Sequence, residues 1–375
     1  MTLHLAVALE GAGWHPAAWR EPAARPAELF TARYWIDQVR EAEAGKLDFV
    51  TIEDGLGPQS SRPDGPDERT DQVRGRLDAV LVAARVAPAT RGIGLVPTAT
   101  VTHTEPFHIS KAIATLDYVS TGRAGWRAQV SWRPAEAAHF GRREITGVED
   151  LFDEAADFVE VVRRLWDSWE DDAEIRDAAT GRFIDRDKLH YIDFASRWFS
   201  VKGPSITPRP PQGQPVVTAL AHAETPYRFA AASADLVYVT PFDADDARRI
   251  VGEVPVPHIF GDLVVFLDHT PAAAREARQR LDDLDGAAFT SDAAVFTGTP
   301  AQLADLLLDW QSAGLTGFRL RPARIPEDLR AITRGLVPEL QARGVFRHEY
   351  EASTLRGLLG LPRPANRYAE GARVA

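Results

Sequence analysis

The chain has 375 residues, with 43 lysines and arginines, 54 aspartates and glutamates, no cysteine and a formal net charge of −11. Without cysteine there are no disulfides, thiolate metal sites, iron–sulfur clusters or cysteine nucleophiles, and the acidic balance argues against nucleic acid or anionic membrane as the main partner. Hydrophobic residues at 45% and charged residues at 26% suit a globular protein that builds its own core, and no apolar stretch approaches a membrane span.

The N-terminal run Leu3–Leu9 has no basic segment before it and meets Glu10 at once. It reads as a buried first strand and not as a secretory signal, so a cytoplasmic location is expected. Ala27–Ala44 then reads as a helix stopped by Gly45. Asp48–Asp54 is a second strand, Val73–Val86 a helix and Gly92–Thr100 a third strand. Pro106 opens the next helix at its first turn, where a missing N–H costs little. Arg123–Ser131 is the fourth strand. From Val148 to Trp166 apolar residues recur at helical spacing on one face.

The pattern breaks over residues 171–214, which are polar and end in a proline-rich stretch. A connection this long reads as an insertion, a candidate to cover a site. Pro215–Ala221 resumes as the fifth strand, and Thr225–Pro226 is an N-cap and N1 pair for the helix after it. Ala234–Thr240 and His258–Leu267 are the sixth and seventh strands. Helices near Ala272–Leu284 and Ala301–Ala313 follow, then an eighth strand at Gly317–Leu320 and a helix at Glu327–Arg343.

Eight strand–helix units in alternation imply an α/β fold, a (β/α)8 TIM barrel with an insertion after the fourth unit and a C-terminal extension. Residues 1–375 are expected to form one domain, with residues 345–375 as a tail. An open doubly wound sheet is the alternative. It is disfavoured because no G-x-G-x-x-G stands between a strand and a helix. No P-loop, H-E-x-x-H or G-x-S-x-G occurs either.

In such a barrel, function gathers at the C-terminal ends of the strands. Those ends offer Trp14 and His15, Glu53 and Asp54, Thr98–Thr100 with His103 and His108 beyond, Arg127 and Ser131, and Ala221 with His222. Each also admits a plain structural reading: Asp54 before Gly55 ends a strand, Trp14 and His15 form a packed loop, Thr98 and Ser131 pack, and His103 and His108 sit at the surface. The histidines lack a paired carboxylate pattern, so no metal site is expected.

The stretch Thr104–Trp126, TEPFHISKAIATLDYVSTGRAGW, resembles the E-P-Y-H-x-A-R…L-D-x-x-S-x-G-R-A-G-W segment of the bacterial luciferase-like flavin-dependent monooxygenases. The resemblance is nearest to the nitrilotriacetate and dibenzothiophene-sulfone monooxygenase branch. Blocks at His15–Arg20, Leu165–Glu170, Pro208–Pro215, Ala234–Val237 and Gly298–Pro300, and the tail from Leu336 through Tyr368, extend it from end to end. It implies a cytoplasmic flavoprotein, an oxidoreductase that takes reduced FMN from a separate flavin reductase and inserts oxygen into a small organic substrate. A water-excluding cover and a homodimer or larger homo-oligomer are also implied.

Matched position by position, the resemblance places Asp54 and Thr98 by the flavin ring, Ser131 at the close of the fourth strand and His15 on the substrate side. His15 and His103 are then the catalytic candidates. Asp54, Thr98, Arg127, Ser131, Phe152, His222 and Ala223 are the cofactor-binding candidates, and Trp14 and Trp132 candidate pocket walls. Three departures stand out. Arg127 replaces an asparagine, Phe152 replaces a tyrosine, and Ala221-His222-Ala223 with Pro226 replaces a Gly-Ser-Ser phosphate loop followed by glycine. They keep two other readings open: a deazaflavin-dependent oxidoreductase that transfers hydride, and a barrel that binds flavin or another ligand without turnover.

Overall fold

The computed structural model describes residues 3–369 apart from Ser61, Pro63 and Asp64. Strand β1 (His4–Leu9) pairs in parallel with β2 (Phe49–Ile52), followed by β3 (Gly94–Thr100), β4 (Gly125–Gln129), β5 (Val216–Leu220), β6 (Leu236–Val239), β7 (His258–Leu267) and β8 (Gly317–Pro322). Strand β8 pairs back onto β1, His4 opposite Gly317 through Val7 opposite Leu320, and so closes the barrel. The expected (β/α)8 architecture is therefore the observed one. One further strand, Ala294–Gly298, pairs with the outer end of β7 beyond the ring. Its sequence, AVFTG, is too short and too flanked by polar residues to stand out before folding.

The helices begin later than apolar periodicity alone suggests, because side-chain caps set their starts. Helix α1 is Ala32–Ala44, begun by Thr31, whose side chain accepts from the Tyr34 N–H. Helix α2 is Ala79–Val86, begun by Asp78, which accepts from the Leu81 N–H. Helices α3 (Pro106–Val119), α4 (Pro134–Phe140) and α5 (Val148–Asp167) follow; α4 was not foreseen, and Gly141 ends it at φ 62°. Next come α6 (Glu224–Ser233), α7 (Ala244–Glu253), α8 (Pro271–Asp285) and α9 (Pro300–Ser312). The last expected helix is broken into Glu327–Ala331, a π-helical turn at Ile332–Leu336 and Val337–Ala342. Pro338 explains the break, since it has no N–H and its ring presses on the preceding turn.

The barrel interior follows from period-two alternation along its strands. Phe49, Val96, Val216, Leu236 and Phe260 form an apolar layer at the N-terminal end of the strands. Two residues further along the same faces stand Thr51, Thr98, Arg127, Thr218, Asp262 and Arg319, six side chains at 5% exposure or less. Apolar residues thus close one end of the barrel, and charged ones rise towards the other.

The apolar end is plugged by the C-terminal tail. Leu355 and Leu359 join the apolar layer, the Leu355 N–H donates to Gly122 O (3.0 Å), and Leu359 O accepts from His258 Nε2 (2.8 Å). Residues 171–214 form two small hairpins, at Glu174–Asp177 with Arg182–Ile184 and at Phe194–Ala195 with Ser200–Val201. Phe194, Phe199 and Val201 pack on Val161 and Leu165 of α5. Arg209 reaches Asp167 at the end of α5 (2.9 Å), and Gln212 holds Asp117 at the end of α3 (2.6 Å). The insertion therefore runs along the outside of α5 and under the end that the tail closes.

Leu355→Ala is expected to destabilise the protein by about 3 kcal/mol, the transfer and cavity cost of a buried leucine. Urea unfolding measures this. A loss below roughly 1 kcal/mol would show that the tail is not a structural plug.

Candidate functional site

The charged layer opens onto a cavity of about 680 Å³ at the C-terminal ends of the strands. That volume suits a cofactor-sized ligand. Glu10, Glu53, Asp54 and Gln129 enter it from strand ends. Trp14, Trp132, Phe152 and Phe229 supply aromatic walls, and Phe152 and Phe229 pack against each other at 5.6 Å.

Its floor is a continuous chain of ion pairs. Arg127 Nη2 lies 2.6 Å from Glu53, and Glu53 lies 3.1 Å from Arg319. Arg319 and Arg321 each reach Asp262 at 2.5 Å, and Arg321 continues to Asp292 at 2.6 Å. Asp292 then faces His222 Nε2 at 3.5 Å. Three guanidinium groups thus alternate with three carboxylates. Taking such charges from water costs several kcal/mol each, so they persist only when every member is paired. Burial pushes the Glu53 and Asp262 carboxyls up, but the neighbouring guanidinium charges outweigh it and hold both below the usual range. Two rings steady the cations: Arg319 sits over Tyr238 at 4.1 Å and Arg321 over Trp14 at 4.5 Å.

Arg127 is bound on three sides. Its Nε donates to Thr98 Oγ1 (2.8 Å), and its Nη2 donates to Glu53 and to Gln129 Oε1 (2.8 Å). Nη1 has no hydrogen-bond partner among the described residues, while Arg127 itself lines the cavity. Asp54 also lines the cavity, its two oxygens accepting from the N–H groups of Gly55 (2.7 Å) and Ala79 (2.9 Å). Burial nonetheless leaves its carboxyl above the ordinary range. Ser131 lines the cavity and donates to Glu136 Oε2 (2.5 Å). His222 lines it too, with Nδ1 against Thr240 Oγ1 (2.8 Å), and burial lowers its pKa despite the nearby Asp292.

The structure thus gathers Asp54, Arg127, Ser131, Phe152 and His222 around one cavity. Ala223 stands beside it as the residue before α6, and no side chain caps that helix end. Thr98 lies below the cavity with its hydroxyl occupied by Arg127. His15 is away from it. Its Nδ1 accepts from the Ala17 N–H (3.1 Å), its Nε2 meets Asp282 (3.1 Å), and its ring packs against Phe289 at 5.1 Å. His103 is stacked on Phe140 at 5.1 Å, its buried Nε2 has no hydrogen-bond partner among the described residues, and it is not among the cavity walls. Residues 171–214 are not among the cavity's lining residues, whereas Gly55 and Arg76 of the β2–α2 connection, Trp132, and Glu136 of α4 are. Sequence reasoning missed Asp262, Arg319, Arg321 and Asp292. The signal was there: a lone aspartate in IFGDLVVFL and two arginines in GFRLRP are charges inside buried strands, which require partners. Among the described residues no cluster of histidine and carboxylate side chains could hold a metal ion.

Residues 12–255 match the family model described as luciferase-like monooxygenase. The chain is 30% identical to N-acetyl-S-(2-succino)cysteine monooxygenase of Bacillus subtilis (strain 168), over 98% of each chain. It is 29% identical to nitrilotriacetate monooxygenase component A of Aminobacter aminovorans, again over 98% of each. Among solved structures, EDTA monooxygenase from Chelativorans sp. BNC1 superposes with a TM-score of 0.85 at 25% identity, covering 97% of this chain and 99% of that one.

Asp262→Ala would leave Arg319 and Arg321 without their shared carboxylate and is expected to cost about 3–5 kcal/mol in urea unfolding. His15 makes a second prediction. Its folded pKa is below the ordinary histidine value of 6.5, with burial the leading cause. The unfolded chain therefore binds more protons than the folded one just below pH 6.5. Stability contributed at His15 is present above that pH and is lost as pH falls through the folded pKa. NMR titration of the His15 ring protons should give a midpoint below 6.5; a midpoint above 7 would contradict the buried, neutral assignment.

Proposed function

The chain belongs to the luciferase-like monooxygenase family, and on that footing we propose that it oxygenates a small organic substrate with molecular oxygen and reduced FMN delivered by a separate flavin reductase. The protein is an oxidoreductase, as its relatives are. The observation that supports this use of the site is the cavity itself: a cofactor-sized space at the C-terminal rim, lined by both aromatic and polar side chains.

The residues present suit a flavin. Aromatic walls and the uncommitted Nη1 of Arg127 suit a planar ring with carbonyl oxygens. The uncapped start of α6 offers free N–H groups for a phosphate. Arg127, Gln129 and Asp54 would hold the ring, and the backbone N–H groups at the start of α6 would hold the phosphate. When bound, the reduced flavin supplies the two electrons that divide molecular oxygen between product and water. Trp14, Phe152 and Phe229 limit water at the wall and, with the more exposed Trp132, give the substrate an apolar surface. His222, whose pKa partial desolvation lowers, can take or return a proton at the cavity wall. His103 and His15 would act on this site only by holding the loops beyond β3 and β1.

The altered phosphate loop favours one competing reading, hydride transfer to or from a deazaflavin. The start of α6 lacks serine hydroxyls, the Thr225 hydroxyl donates to Glu149 (2.5 Å), and Arg228 also binds Glu149 (2.7 Å).

Fluorescence titration with FMN, oxidised and anaerobically reduced, tests the proposal together with reductase-coupled oxygen consumption. Reduced FMN should bind in the low micromolar range or tighter, roughly −8 kcal/mol. No binding of either form would overturn it, and a clear preference for deazaflavin under anaerobic conditions would transfer the site to the second reading. Phe152→Tyr restores a hydroxyl donor beside the cavity. It should tighten FMN by about three- to tenfold, the value of one net hydrogen bond.

A further inference from the structure

We propose that the cavity selects an uncharged, aromatic-bodied substrate and rejects carboxylates. The proposal rests on the reading that this cavity is the substrate site. Every arginine on its wall is already matched by a carboxylate of the same wall. Arg76 Nη2 meets Glu10 at 2.8 Å, Arg127 meets Glu53 at 2.6 Å, and Arg133 faces Glu136 at 3.7 Å. Asp292, a fourth wall carboxylate, is held by Arg321 from below at 2.6 Å. One wall carboxylate is left over. Asp54 has backbone N–H groups around it and no ion-paired partner among the described residues.

An incoming carboxylate would therefore find no free cation. It would have to share an arginine with a wall carboxylate, placing two negative groups side by side in a space that already carries an excess of negative charge. A neutral molecule meets no such cost. It can lie against the aromatic side chains of Trp14, Trp132, Phe152 and Phe229. Nitrilotriacetate, the substrate named for one relative, is a tricarboxylate; this wall is built against that chemistry.

The test compares benzamide with benzoate, which match in size and shape and differ in charge. Binding is measured by isothermal titration calorimetry on the full chain, with and without FMN. Benzamide should bind at least tenfold more tightly than benzoate, roughly a 1.4 kcal/mol difference. Glu10→Gln, which leaves Arg76 unpaired at the wall, should tighten benzoate about fivefold or more and leave benzamide within twofold. Should that variant fail to fold, Glu136→Gln frees Arg133 and takes its place. Equal binding of the two probes, an unchanged ratio in the folded variant, or failure of both probes to bind at concentrations on the order of 10 mM overturns the proposal. If FMN fails to bind in the same titrations, the flavin reading falls while the probe comparison on the apo chain still decides this one.

Discussion

Arg319 is the interaction on which the upper half of the barrel depends. It is fully buried at the middle of the interior, where barrels ordinarily stack branched apolar side chains. It binds Glu53 on one side and Asp262 on the other, with Tyr238 beneath its plane. Glu53 in turn binds Arg127, and Asp262 binds Arg321. The positions of the groups on both flanks of the cavity are thus set by one guanidinium that never reaches it. A network of this kind adds little net stability over an apolar core, but losing one member strands another as a buried charge. Its members behave as a unit, and the cavity floor inherits that rigidity.

The barrel was legible because its elements report two different periods. Val148–Trp166 repeats at 3.6 and the strands at 2, and the alternation of the two leaves few arrangements. The family blocks pointed the same way independently. Less legible were boundaries that depend on single caps, as at Thr31 and Asp78, and the π-helical turn before Pro338. The insertion was visible as a break in pattern, but its location was not. Composition says that residues 171–214 are polar; only the closed barrel shows that they anchor to Asp167 and Asp117, at the end away from the cavity.

The site was legible where a residue's place at a strand end decides its role. Asp54, Ser131 and His222 sit at such ends, and they line the cavity. Thr98 and His15 mark the limit of that reasoning. Thr98 is inside the barrel, but its neighbour across the β3–β4 register is Arg127, which takes its hydroxyl. His15 follows β1, but the chain turns there so that both ring nitrogens are used up on Ala17 and Asp282. Direction of a side chain beyond a strand end depends on contacts many residues away, and no local spacing encodes it.

The departures at Arg127 and at the start of α6 also belong together. An arginine at an interior strand position is tolerable only with a carboxylate in reach, and Glu53 supplies it from just past the end of β2, two strands away across β3. That pairing spends the charge of Arg127 within the protein, so the residue enters the cavity as a hydrogen-bond donor more than as a cation. At the other flank, Asp292 spends Arg321 in the same way and faces His222. The site has exchanged free positive charge for internally matched pairs on both sides. Recognition at its floor is therefore left to shape, aromatic contact and directed N–H groups, while attraction of an anion falls to the backbone at the start of α6.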